Sequence, residues 1–349
     1  MFGEEWPIAA LQEDSARCDH PVDRAPPARG RRLATIVSDF FLEPAERLTE
    51  QERSLMSVML LGLVATTADE IRVRLPIEWV AATECDPHEL TRRLGNAGLT
   101  RNPLLVRHLL ASANAALIAD AGARVRHGTP ALQRWAADPE GHIAASAMAL
   151  LIARGRSRDR FGKPAVHIHD LEAETAVELV YAIAAALCLG SGAGRETAFA
   201  VAAGEILARH DEGQRADALA GRLVRVLDHR GRLGDETLLE LASHGDAPLL
   251  AHSLARLAQI GADEAWAMLT GQQDSPALLL RLAGRSRATA ATVIATFGNA
   301  LGITDPATEM DRVDGLDAAE LDREAGRLRL PVPFRLAAET LNGYGCFRR

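Results

Sequence analysis

Aromatic side chains are scarce in this chain: they make up 4% of its 349 residues, although apolar residues together reach 48%. A core poor in rings and rich in Ala and Leu suits closely approaching helices and excludes aromatic-filled sheets. Lysine is almost missing, with Lys163 alone against 38 arginines. That bias reads mainly as codon composition, although a guanidinium also grips carboxylates and phosphates in a planar, two-pronged way that an ammonium cannot. Cysteine is sparse too. Cys18, Cys85, Cys188 and Cys346 stand far apart without a CxxC pair, which argues against a zinc ribbon or a dense disulfide framework and favours a reducing cytoplasm. The formal charge of −8 opposes non-specific attraction to DNA or anionic lipid while leaving room for local basic patches. Met1 to Trp6 is acidic and lacks the basic-then-apolar order of a secretory signal. The longest uncharged run, Leu179 to Gly194, falls short of the ~20 residues a membrane helix needs, so no span is expected.

What the chain has is repetition. Leu238 to Ala242 and Leu279 to Ala283 match at an offset of 41 residues, and each leads through a turn into a longer apolar helix. That period suits armadillo or HEAT-like arrays, whose repeats run to about 40–47 residues. A fainter copy, Leu132 to Ile152, matches Leu238 to Ala258 at an offset of 106. Gly245, Gly261, Gly271 and Gly284 follow apolar runs and read as left-handed helix stops. Asp235, Asp263, Ser275 and Ser286 precede runs and read as N-caps. Asp86, Asn102, Thr129, Asp138 and Ser275 each stand before a proline, which pairs a capping oxygen with a φ suited to the first turn. Thr49 with Glu52 and Asp317 with Glu320 form capping boxes, the first opening a helix to about Ala65. The predicted fold is therefore all-α, a HEAT/armadillo-like helical-repeat array or α-solenoid.

The expected organisation is a disordered tail over 1–32, a helical-repeat region over 33–153, an Arg-rich connector over 154–169, a second helical region over 170–303 and a mixed extension over 304–349. In the last of these, Leu330 to Phe334 reads as extended because of its two prolines. Asp170 is expected to cap a long Ala-rich helix, and Glu196 to Ala208 pairs with Arg215 to Leu227 as a helical hairpin.

Chemistry-bearing residues gather at the connector. Arg154, Arg156, Arg158, Arg160 and Lys163 fall within ten residues, broken by glycine and proline; they are the candidate anion or partner-binding set. His167, His169 and Asp170 could supply part of a metal site, which would need further ligands from elsewhere. The Gly190 to Gly194 segment fails as a phosphate loop, because a helix precedes it and the Walker spacing and its lysine are missing. Glu240 with His244, and His210 with Asp211, read as helix-end and capping residues.

The segments Phe41 to Leu63, Asp159 to Leu189, Ala208 to Gly213 and Gly234 to Leu282, with the phrase His210-Asp211-Glu212-Gly213, resemble a bacterial family labelled domain of unknown function 2336. The resemblance implies a cytoplasmic helical-repeat protein and carries over no catalytic residue. The expectation is a non-enzymatic scaffold or adaptor, without cofactor, that binds a protein partner and has Ala-rich helices available for self-association. A nucleic-acid- or anion-binding array using Arg154 to Lys163, and a metal-dependent enzyme using His167, His169 and Asp170, remain the alternatives.

Overall fold

The computed structural model describes residues 48–80, 83–123, 129–189, 194–270, 276–301, 306–335, 337–338 and 341. The chain divides into two compact units, Met1–Thr49 and Glu50–Arg349. The expected tail, the start of the helical-repeat region over 33–47 and the stop and cap at Gly271 and Ser275 lie outside the described residues.

The second unit is all-helical. Its helices are α1 (Glu50–Arg72), α2 (Ile77–Val80), α3 (Pro87–Asn96), α4 (Pro103–Ala123), α5 (Ala131–Ala136), α6 (Gly141–Gly155), α7 (Ala173–Cys188) and α8 (Glu196–Leu207). They are followed by α9 (Ala216–His229), α10 (Asp235–Ser243), α11 (Ala247–Ala258), α12 (Ala262–Leu269), α13 (Pro276–Leu282), α14 (Arg287–Leu301), α15 (Pro306–Gly315) and α16 (Ala318–Leu328). Among the described residues there is no strand, and the β-like pairing is a single antiparallel bridge between Arg158 and Pro164.

The two short–long units recognised in the sequence are α10–α11 and α13–α14, and they share a closing motif. Gly245 and Gly284 take φ of +67° and +68°. The following amides reach back five residues, Asp246 N–H to Leu241 O at 2.9 Å and Arg285 N–H to Leu280 O at 3.0 Å, which satisfies carbonyls that a helix end leaves bare. Capping then restarts the chain: Asp246 accepts from Leu249 N–H at 3.2 Å, and Ser286 Oγ from Thr289 N–H at 3.1 Å. Asp86 and Asn102 cap α3 and α4 as expected, and the Asp317–Glu320 box closes in both directions.

Several local readings are corrected. Gly261 is extended and stands at the N-cap of α12, while Gln259 holds the left-handed position at φ 58°. Asp235 is not a cap; its carboxylate accepts instead from Arg285 and from Thr289 Oγ1, both at 2.7 Å. Asp263 lies inside the first turn of α12. α1 continues past Ala65 to Arg72, because Val64, Ala68 and Ile71 keep its buried stripe going. Asp170 ends a 3-10 turn, and α7 starts three residues later. Residues 332–335 form a helical turn despite the prolines. The partner of α8 is α7, while α9 packs on α6.

Two apolar cores hold the unit together. One joins α1, α3, the start of α4, Val166 to Leu171, α7 and α8; the other joins Ile118 of α4 to α5, α6 and α9 to α16. Both include residues from either side of the 154–169 connector. Helix α1 packs on α7 and α8, and α4 on α14, contacts far apart in sequence. α1 and Pro103–Gly122 are long and apolar enough to cross a membrane by length and composition, a property shared by core helices, and 39% and 28% of their apolar windows are buried.

Candidate functional site

The connector folds as a small hairpin on a histidine-lined base. Asp159 N–H donates to Lys163 O, Gly162 N–H to Asp159 O and Ala165 N–H to Ser157 O, each at 2.9 Å. The Asp159 carboxylate accepts from the amides of Phe161 and Lys163, both at 2.8 Å. Gly162 sits at φ +76°, the left-handed position of a three-residue hairpin loop. An alternation of arginine with small or turn-forming residues thus becomes a preformed loop because a single carboxylate holds two of its amides.

The five cations have different tasks. Arg154 forks onto Asp246 at 2.7 and 2.8 Å, gripping the residue that caps α11. Arg156 Nη2 donates to the Gln214 carbonyl at 2.9 Å. These two tie the connector to Asp246 and Gln214, so their guanidinium groups already have partners within the fold. Arg158 Nη1 donates to Gly162 O at 2.7 Å and closes the loop, yet the residue stays exposed. Arg160 stacks on the Phe161 ring at 4.8 Å, and Lys163 is exposed beside them. Phe161, overlooked in the sequence, is 72% exposed at the tip. Its signal was an aromatic inside a cationic, glycine-bounded run.

Similar ties recur elsewhere. Arg232 pairs with Asp138 at 2.6 Å, Arg285 with Asp235 at 2.7 Å and Arg256 with Asp228 at 2.7 Å. At these positions arginine clamps one helix end to another, where its planar fork suits a carboxylate better than lysine would.

Below the hairpin, His167, His169 and His210 stand in a row, with ring centroids 5.1 and 6.0 Å apart. His167 Nε2 faces Glu70 Oε1 at 3.2 Å, and its Nδ1 accepts from His169 N–H at 3.4 Å. With Nδ1 accepting, Nε2 is the nitrogen that donates toward Glu70. Asp170 accepts from His167 N–H at 3.2 Å, and His210 Nε2 lies 2.9 Å from Leu171 O. Of the candidate metal ligands, Asp170 thus takes the His167 amide and His167 the His169 amide, and among the described residues no group of three His, Cys, Asp or Glu is disposed to hold a metal ion. Glu240 and His244 remain a helix-end pair, with His244 Nδ1 3.0 Å from the Glu240 carbonyl.

Burial, followed by the neighbouring His167, pushes the His169 imidazole below its ordinary range, with Glu70 opposing and His210 and Arg156 reinforcing the shift. Burial also lowers His108 against the pull of Asp170 and Asp217, with Arg215 helping to lower it. The hydrogen bond from His167 holds Glu70 below the usual carboxylate value. A histidine with a depressed folded-state pKa loses stability as pH falls, because the unfolded chain takes up the proton first. Unfolding midpoints in urea are therefore expected to drop once pH falls below about 6.5, with a further loss below about 4.3 as Glu70 is neutralised. His169→Gln combined with His108→Gln should flatten the first decline; an unchanged slope would refute the assignment.

The fold and this site together define an all-helical protein with an exposed cationic hairpin. The chain belongs to a bacterial family, described as an uncharacterised protein conserved in bacteria and labelled domain of unknown function 2336, which matches residues 116–320. That span contains the hairpin, the three histidines and both short–long units, whereas the similarity read at Phe41 to Leu63 falls outside it. No curated protein and no solved structure matches the chain.

Proposed function

We propose that this protein is a non-enzymatic, cytoplasmic helical scaffold or adaptor that binds a protein partner, with HEAT/armadillo-like short–long units as its building block. The observation that carries the reading is the outer face of the α7–α8 pair. Val177, Tyr181, Leu189 and Val201 are 42%, 44%, 88% and 56% exposed there. Beside them runs an open groove of about 460 Å³ lined by Tyr181, Ala184, Ala185, Cys188, Leu189, Glu196, Phe199 and Ala200. Val177, Tyr181, Ala185 and Leu189 recur at four-residue steps, a ridge of the kind another helix packs against. Apolar side chains aligned and left outside the core are a mark of recognition surfaces, and their scattered counterparts are not.

Affinity purification from the native bacterium with the wild type and with Tyr181→Glu tests the reading. The expected result is a defined protein recovered stoichiometrically by the wild type and lost by the variant, with unchanged circular dichroism. Equal recovery by both, or none by either, overturns it.

A further inference from the structure

We propose that the hairpin at Ser157–Ala165 is a docking site for an acidic protein segment that carries an apolar side chain. The inference deepens the scaffold reading by naming a partner chemistry, and it rests on that reading only for its biological use, because the hairpin lies on a different element from the α7–α8 face.

Three observations converge. The loop is preformed: the Asp159 carboxylate holds the amides of Phe161 and Lys163, and Arg158 closes the turn on Gly162 O. A ligand meeting it loses little to ordering the loop. The hairpin itself is positive, since Arg158, Arg160 and Lys163 are exposed and Asp159 is the one acidic residue within Ser157–Ala165, in a chain whose formal charge is −8. Lastly, Phe161 stands 72% exposed with the Arg160 guanidinium 4.8 Å over its ring. An exposed ring beside exposed cations offers two kinds of contact within one loop. Carboxylates satisfy the guanidinium and ammonium groups, while an apolar side chain covers the ring and takes it out of water. The lone aromatic argues against a single-stranded nucleic acid, which is bound on a series of stacking rings.

The probe is a synthetic fluorescent peptide of alternating glutamate and leucine, titrated by anisotropy at low salt against the full chain. Binding is expected to weaken by about tenfold or more in Arg160→Glu/Lys163→Glu and again by about tenfold in Phe161→Ala. It should also weaken as salt screens the charges. Arg225→Glu, an exposed change on α9, should leave it unaltered. Because the chain has one lysine, carbodiimide coupling of the bound peptide should join its glutamates to Lys163, located by mass spectrometry. Peptide affinity equal in the reversed variant, coupling that bypasses Lys163, or duplex DNA that displaces the peptide at equal charge overturns the proposal. Loss of peptide binding in Arg160→Glu/Lys163→Glu with Tyr181→Glu unaffected separates this site from the α7–α8 face.

Discussion

Arg335→Ala is expected to destabilise the fold by about 3–5 kcal/mol, a large part of the 5–15 kcal/mol that holds a typical domain together. Arg335 comes from the helical turn after α16 and forks onto Glu264 of α12, one bond measuring 2.9 Å and the second shorter. Both residues are buried, at 8% exposure each. Removing the guanidinium would strand a carboxylate away from water, and that desolvation accounts for the loss rather than the attraction itself. The pair therefore fixes the C-terminal turn against α12 more than it adds net stability. Arg335→Met combined with Glu264→Gln should recover most of the deficit, since no uncompensated charge is left. Urea unfolding of the two variants decides the matter. A single variant within about 0.5 kcal/mol of the wild type, the range of ordinary surface changes, would refute it.

Gly245→Val carries the second large effect. Gly245 is left-handed at φ +67°, and a Cβ there would come within 2.8 Å of the Ile118 carbonyl oxygen and 3.2 Å of Ala119 Cα. From the other side, a Cβ on Gly122 would meet Gly245 Cα and N at 2.9 Å. The turn between α10 and α11 thus touches α4 backbone to backbone, with no side chain in between. Valine must bear both the left-handed strain and the overpacking, together about 2–5 kcal/mol. Gly284→Val supplies the internal comparison. Its φ is +68°, yet nothing lies within 4 Å of the added atom, so only the conformational part, about 1–2 kcal/mol, is expected. Equal losses at the two positions, measured by thermal or urea unfolding, would show that the close approach costs nothing.

That comparison separates what local sequence can express from what it cannot. Gly245 and Gly284 both follow an apolar run, and both are legible as helix stops because left-handed backbone is a local demand. That one of them also faces a helix more than a hundred residues earlier is invisible at either position. Gly261 was misread for a related reason: Gln259 ends α11 in its place, taking a strained conformation that sequence preference would assign to glycine. Asp235 and Asp170 were misread because a short carboxylate can cap a helix or pair with a distant group, and proximity in the fold chose among those options. At the connector the grouping of cations was legible. The division between Arg154 and Arg156 as ties, and Arg160 and Lys163 as an exposed face, was not, since it depends on Asp246 and Gln214 lying beneath.

The sequence by itself determined that this chain is helical, where most of its turns fall and that two of its units share a pattern. Those properties come from apolar spacing, capping oxygens and glycine conformations, which act over a few residues. Tertiary structure decided which helices meet, which arginines are consumed by carboxylates and where an aromatic ring is left in water. Each of these is fixed by side chains brought together from remote parts of the chain, and the energy of such a meeting is written in neither partner alone.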